Sequence, residues 1–173
     1  MKLKHWSILV GLVLMFTIGC EKADLFPETQ EPAATEETAT LPTPSAELSA
    51  GTVVIHGADK DLNLTVELAN DRESRAKGLS GREALAPNSG MLFIFEEDVR
   101  DAFWTKDTYV PLDLIFIDSA KNIVDIIVNA EPNSTERLVP NADYRYVLEV
   151  PAGYANANAI EVGNLVELRI GPR

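Results

Sequence analysis

The stretch that most limits what this chain can fold into is Leu112-Asp-Leu-Ile-Phe-Ile117. Apolar side chains fall on both faces of any strand drawn through it, so it suits a strand buried in the middle of a sheet. Immediately upstream, Phe103-Trp104-Thr-Lys106-Asp107-Thr-Tyr109 gathers an aromatic pair, a cation, an anion and a tyrosine ahead of Pro111. The chain therefore offers one obligatory core element with a chemically dense approach to it.

Other segments fit around that element. Thr52–His56 is a short β-rich run, and Leu62, Leu64, Val66 and Leu68 alternate with Asn63, Thr65 and Glu67, as on a strand with one wet face. A short surface helix is expected over Asp71–Lys77, capped by Asn70 with Glu73 closing a capping box and Gly78 ending it. Arg82–Leu85 is expected to add a helical turn, Met91–Phe95 a strand, and Glu96–Asp101 an acidic loop. Asp118–Asn122 should turn the chain so that Ile123–Val128 pairs with Leu112–Ile117 as a central antiparallel hairpin. Tyr144–Val150 reads as a strand, Ala152–Asn158 as a short helix and Leu165–Ile170 as the closing strand. The expected fold is mainly β: a single compact antiparallel sandwich or barrel-like domain over residues 51–173, with two or three short helices.

Residues 1–20 have the form of a lipoprotein signal peptide: Lys2 and Lys4, an apolar run, then Thr17-Ile-Gly-Cys20, similar to a lipobox. Lipid on Cys20 would attach the protein to a membrane facing the periplasm or cell exterior. Residues 21–50 are rich in Pro, Thr, Ala and Glu and too poor in large apolar residues to fold, so they read as a disordered acidic tether. Of the net charge of −12, Lys2 and Lys4 contribute +2 and residues 21–50 contribute −6, which leaves −8 for residues 51–173. Nucleic acid is excluded as a partner on that balance, because phosphate binding needs clustered Lys and Arg. Membrane lipid through Cys20 is the expected contact, with a small polar ligand or an envelope protein as further partners.

Cys20 is the only cysteine and His56 the only histidine after the leader. With Cys20 given to lipid, thiolate catalysis, disulfides within the chain and multi-histidine metal sites are excluded. No phosphate loop, nucleophile elbow or zinc motif occurs, so no cofactor, no metal and no assigned reaction are expected.

The pieces Gly78-Leu79, Arg82-Glu83, Gly90–Phe95, Phe103-Trp104-x-Lys106-x-Thr108-x-x-Pro111-Leu112-Asp113 and Tyr146–Glu149 with Ala152-Gly153 occur in order over about residues 60–170. Together they resemble the domain of unknown function 192 family. The resemblance implies a compact, mainly β fold with small helices, often exported or lipid-anchored, and no activity.

Trp104, Lys106, Arg82 and Tyr109 are the candidate ligand-binding residues. On an extended segment Trp104 and Lys106 share a face, where an aromatic surface beside a cation can hold a sugar ring or a small acid. The competing reading puts Trp104 in the core with Lys106 snorkelling over it. Arg82 can grip a ligand carboxylate in fork geometry or make a structural ion pair, for instance with Asp113. Asp113, at the start of the buried run, must be paired or else have a raised pKa, which makes it the candidate catalytic acid or base. Glu96, Glu97, Asp98 and Asp101 lack calcium-loop spacing and read as a solvated loop, and His56 reads as an exposed edge residue. The functional expectation is a membrane-anchored extracytoplasmic lipoprotein that binds a small ligand or serves as an accessory module. The alternatives are a structural or protein-interaction domain of the envelope, and a carboxylate-dependent hydrolase of envelope carbohydrate.

Overall fold

The computed structural model describes residues 49–171. The leader, Cys20 and nearly all of the tether lie outside the described residues. In chain order the elements are β1 (Ala50–His56), β2 (Asp61–Ala69), α1 (Arg72–Lys77), β3 (Ser89–Val99), β4 (Leu112–Ile117), β5 (Ile123–Ala130), β6 (Tyr144–Pro151), α2 (Tyr154–Ala157) and β7 (Leu165–Ile170). The strands form one sheet in the order β5-β4-β6-β3-β2-β1-β7. Every pairing is antiparallel except β2 with β3, whose parallel crossover carries α1.

The sheet curls into a half-barrel. Asn122 bridges to Leu165, the Ile123 amide donates to the Asn164 carbonyl (3.0 Å) and the Val166 amide to the Lys121 carbonyl (2.8 Å), which brings the two edge strands together at one end. Curling makes two apolar layers. The concave one gathers Ile55, Leu64, Leu92, Ile115, Leu148 and Val166 from six strands, with Ala155 and Ile160 plugging it from α2 and the turn that follows. The convex one gathers Met91, Phe93, Leu114, Phe116, Tyr144 and Val147 under the loops.

All six residues of β4 are buried, because Ile115 and Ile117 face the concave layer while Leu112, Leu114 and Phe116 face the convex one. Removing one such side chain costs about 2–5 kcal/mol. β2 shows the expected alternation, with Leu62, Leu64, Val66 and Leu68 buried between more exposed neighbours.

Four local expectations need correction. The β4–β5 hairpin is present, but β5 ends the strand order and β6, on the other side of β4, is the central partner. The helix is capped one residue later than expected. Asp71 accepts from the Ser74 amide (2.8 Å) and Ser74 Oγ accepts from the Asp71 amide (3.1 Å), so Asp71 and Ser74 make the capping box rather than Asn70 and Glu73. Arg82–Leu85 is not helical, since the Arg82 carbonyl is spent on the Tyr109 amide (3.0 Å). Glu96–Val99 extend β3 instead of forming a loop. A register shift against β6 carries the strand out of the core, and Arg145 pairs with Asp98 across it (2.9 Å).

Candidate functional site

A cleft of about 560 Å³ lies on the convex side of the sheet. One wall is α1 with the turn Gly78-Leu79-Ser80, the other is the loop from Asp101 to Thr108, and Phe93 and Glu149 line it from β3 and β6.

Each wall is fixed by local chemistry. Gly78 ends α1 with its amide donating to the Ser74 carbonyl (2.9 Å) and takes φ +48°; a Cβ there would stand 3.2 Å from the Phe93 ring, so the backbone can pass over that ring only as glycine. Leu79 is buried and anchors the turn. Arg75 donates from Nη1 to the Ile94 carbonyl (2.9 Å), and its guanidinium lies 5.0 Å from the centroid of the Phe95 ring. That contact ties the helix to the sheet with its cations on the cleft side.

The opposite wall is held by alternate residues. Phe103 exchanges backbone hydrogen bonds with Leu138 (2.9 Å each way) and packs edge-on against Phe93, Phe116 and Tyr144. Thr105 is buried, donating from Oγ1 to the Glu131 carbonyl and accepting from the Ser134 amide (3.1 Å). The Tyr144 hydroxyl donates to the Asp101 carbonyl (2.9 Å), and burial pushes its phenol pKa up. With Phe103 and Thr105 turned inward, Trp104 and Lys106 are turned outward onto the cleft, 59% and 61% exposed. The alternation expected of a strand is present although only Phe103 makes a β-bridge. The core reading of Trp104 is excluded by its exposure. Lys106 Nζ is 4.0 Å from the Asp107 carboxylate, a pair too open to the solvent to hold the cation in place.

The remaining candidates stand elsewhere. Arg82 donates from Nη2 to both carboxylate oxygens of Glu67 (2.6 and 2.5 Å), so its partner is Glu67 rather than Asp113 or a ligand, and it ties the loop to β2. Tyr109 is exposed but does not line the cleft. Asp113 is fully buried on the concave side, its two oxygens accepting from the Asn129 and Ala155 amides (2.9 Å each). It joins the β4–β5 hairpin to α2. His56 pairs with Asp61 (2.8 Å) across the β1–β2 turn.

The residue that sequence reasoning gave no role is Glu149. It sits in mid-sheet, opposite Met91 of β3 and Leu114 of β4, and is 4% exposed. Its carboxyl makes no hydrogen bond or ion pair among the described residues, and it lines the cleft. Among the described residues no buried side-chain oxygen sealed from solvent lacks a partner, so the unpartnered carboxyl is in touch with the open space of the cleft. Burial pushes its pKa from 4.5 up to about 8, so it carries a proton at neutral pH. The signal in the sequence was a single acid inside the apolar run Tyr146-Val-Leu-Glu-Val150. Cations line the same cleft, Arg72, Arg75 and Lys77 from α1 and Lys106 from the loop, against the acid Asp101. The site is thus locally basic on an acidic domain. Asp113 projects to the opposite side of the sheet, because its ladder partner is Val150 whereas Glu149 is paired with Leu114. The two carboxyl groups do not share a cleft.

The sequence profile of the domain of unknown function 192 family, described as an uncharacterized ACR, matches residues 53–168. A crystal structure from Sinorhizobium meliloti 1021, described as a candidate transcription regulator, is similar at 36% identity. The TM-score is 0.69, and the match covers 72% of this chain and 97% of that one. A protein of unknown function from Novosphingobium aromaticivorans is similar at 29% identity and a TM-score of 0.70, over 80% of this chain and 99% of that one. No curated protein matches the chain in sequence.

Proposed function

The chain belongs to the domain of unknown function 192 family, and from that premise we propose that it is an exported, lipid-anchored module that holds a small polar ligand in the cleft under Trp104. The observation that carries this reading is the cleft itself. Its volume of about 560 Å³ falls in the range of small-molecule sites, roughly 300–1,000 Å³. It presents an exposed indole and several cations on a domain whose residues 51–173 carry −8 in all. An indole held out of the core beside cations suits a ring that stacks and an acid that pairs. The anchor rests on Thr17–Cys20 following an apolar run. A direct role on nucleic acid, which the description of the Sinorhizobium relative raises, is disfavoured by the acidic balance.

Trp104 is the only tryptophan after the leader, so the processed protein reports on the cleft alone. Its emission is followed against monosaccharides, sugar acids, small dicarboxylates and inorganic phosphate. A saturable change that Lys106→Ala weakens supports the reading. No change in emission or melting temperature with any compound overturns it. The anchor is tested separately by Cys20→Ser, which should release the protein from the membrane fraction.

A further inference from the structure

We propose that Glu149 contacts the ligand at the floor of the cleft, and that the ligand is a sugar-like ring bearing a carboxylate, held by one proton shared between its carboxylate and the Glu149 carboxyl. This deepens the binding reading above and rests on it.

The geometry leaves the Glu149 carboxyl open to a partner from outside the protein, since it reaches the cleft and finds none among the described residues. A polar side chain in mid-sheet ordinarily finds a hydrogen bond within the fold, because leaving it unmade costs about 1–3 kcal/mol. Asp113, on the same sheet, has two backbone donors. Glu149 has none among the described residues and lines the cleft instead. Its neighbours on that face, Met91, Leu114 and Val147, bring no charge. The charged groups packed around the cleft are Arg72, Arg75 and Lys77 on α1 and Asp101 and Lys106 on the loop, with the Tyr144 phenol further along β6. None of them forms an ion pair with Glu149, and burial alone sets its proton affinity.

A protonated carboxyl at the edge of the cleft donates one O–H. Its best acceptor is a carboxylate, and the pair then carries a single negative charge. The surrounding cations favour that charge. A phosphate dianion would bring twice the charge against the apolar Met91, Leu114 and Val147 that flank Glu149, at a larger desolvation cost. Trp104 at the rim offers the flat face on which the ring of the ligand stacks.

The experiment uses the processed, lipid-bearing protein in detergent and follows Trp104 emission against glucuronate, glucose, acetate and inorganic phosphate between pH 6 and 9.5. Glucuronate should bind tighter than glucose and acetate. Its affinity should hold to about pH 7 and fall tenfold per pH unit above pH 8, as Glu149 loses its proton. Glu149→Gln, which keeps a donor but no dissociable proton, should bind more weakly at pH 7 and show no fall above pH 8. Glu149→Leu should lose binding while keeping its melting transition. The same pH fall in wild type and Glu149→Gln overturns the inference and leaves the binding reading standing. So does tighter binding of glucose or phosphate than of glucuronate. Silence from every compound overturns both.

Discussion

Replacing Glu149 by glutamine should stabilise the domain by an amount that grows with pH. The unfolded chain ionises this carboxyl near 4.5, whereas burial keeps it protonated in the folded chain up to about 8. Between those values the folded state binds more protons, so stability is complete below pH 4.5 and is lost as pH rises through 8. One pKa unit corresponds to about 1.4 kcal/mol. The loss therefore reaches about 3 kcal/mol at pH 7, about 4 kcal/mol at pH 8 and about 5 kcal/mol by pH 9. Glutamine has no proton to lose and escapes the penalty.

The assay is urea unfolding of wild type and Glu149→Gln by far-ultraviolet circular dichroism at half-unit steps from pH 4.5 to 9. The quantity compared is the difference between the two proteins minus its value at pH 4.5, which cancels the packing cost of the amide. With an m-value of about 1–3 kcal/mol per molar urea, the midpoint of the variant should move up by about 1–3 M at pH 7 relative to that reference. A difference that stays flat within about 0.5 kcal/mol across the range would mean that Glu149 is ionised or solvated at neutral pH. That result would refute both the burial argument and the shared proton built on it.

The sequence made the local half of this molecule legible. Leu112–Ile117 could be read as buried on both faces because five of its six positions are apolar and they fall on both sides of the strand, and β2 could be read from strict alternation. That Trp104 and Lys106 share a face was legible for the same reason, since alternation is a property of neighbours along the chain; that this face is the outer one was not, because an indole is as much at home in a core. What failed depends on a one-residue frame or on distant partners. Asn70-Asp71 offers two good caps in succession, and Ser74 rather than Glu73 decides between them by completing the box. The acidic run Glu96–Val99 reads as a loop until Arg145, far along the chain, is placed beside Asp98. Asp113 and Glu149 are each a single acid in an apolar run, yet only Asp113 stands out from the sequence. Only the register of β6, which pairs Val150 with Asp113 and Glu149 with Leu114, assigns one to backbone amides and the other to the cleft. Arg82 reads equally as a grip for a ligand carboxylate or as half of an ion pair with Asp113, and its partner Glu67 lies on β2, a placement that local pattern does not reveal.

Three further outcomes test those assignments. Trp104→Ala removes an exposed side chain, so stability should change by less than about 0.5 kcal/mol while the rise in melting temperature on adding ligand is lost; a large drop in the melting temperature without ligand would place the indole in the core. Asp113→Ala strands two backbone amides and should cost about 2–4 kcal/mol in urea unfolding, with Asp113→Asn recovering part of it and ligand binding kept in both. Gly90→Ala should be the most damaging, because the new Cβ would stand 2.2 Å from the Glu149 carbonyl oxygen, a backbone atom that cannot move aside without parting β3 from β6. The loss should exceed about 3 kcal/mol in urea unfolding, and because the displaced strand carries Glu149, whatever protein still folds should also lose the pH-dependent part of ligand binding.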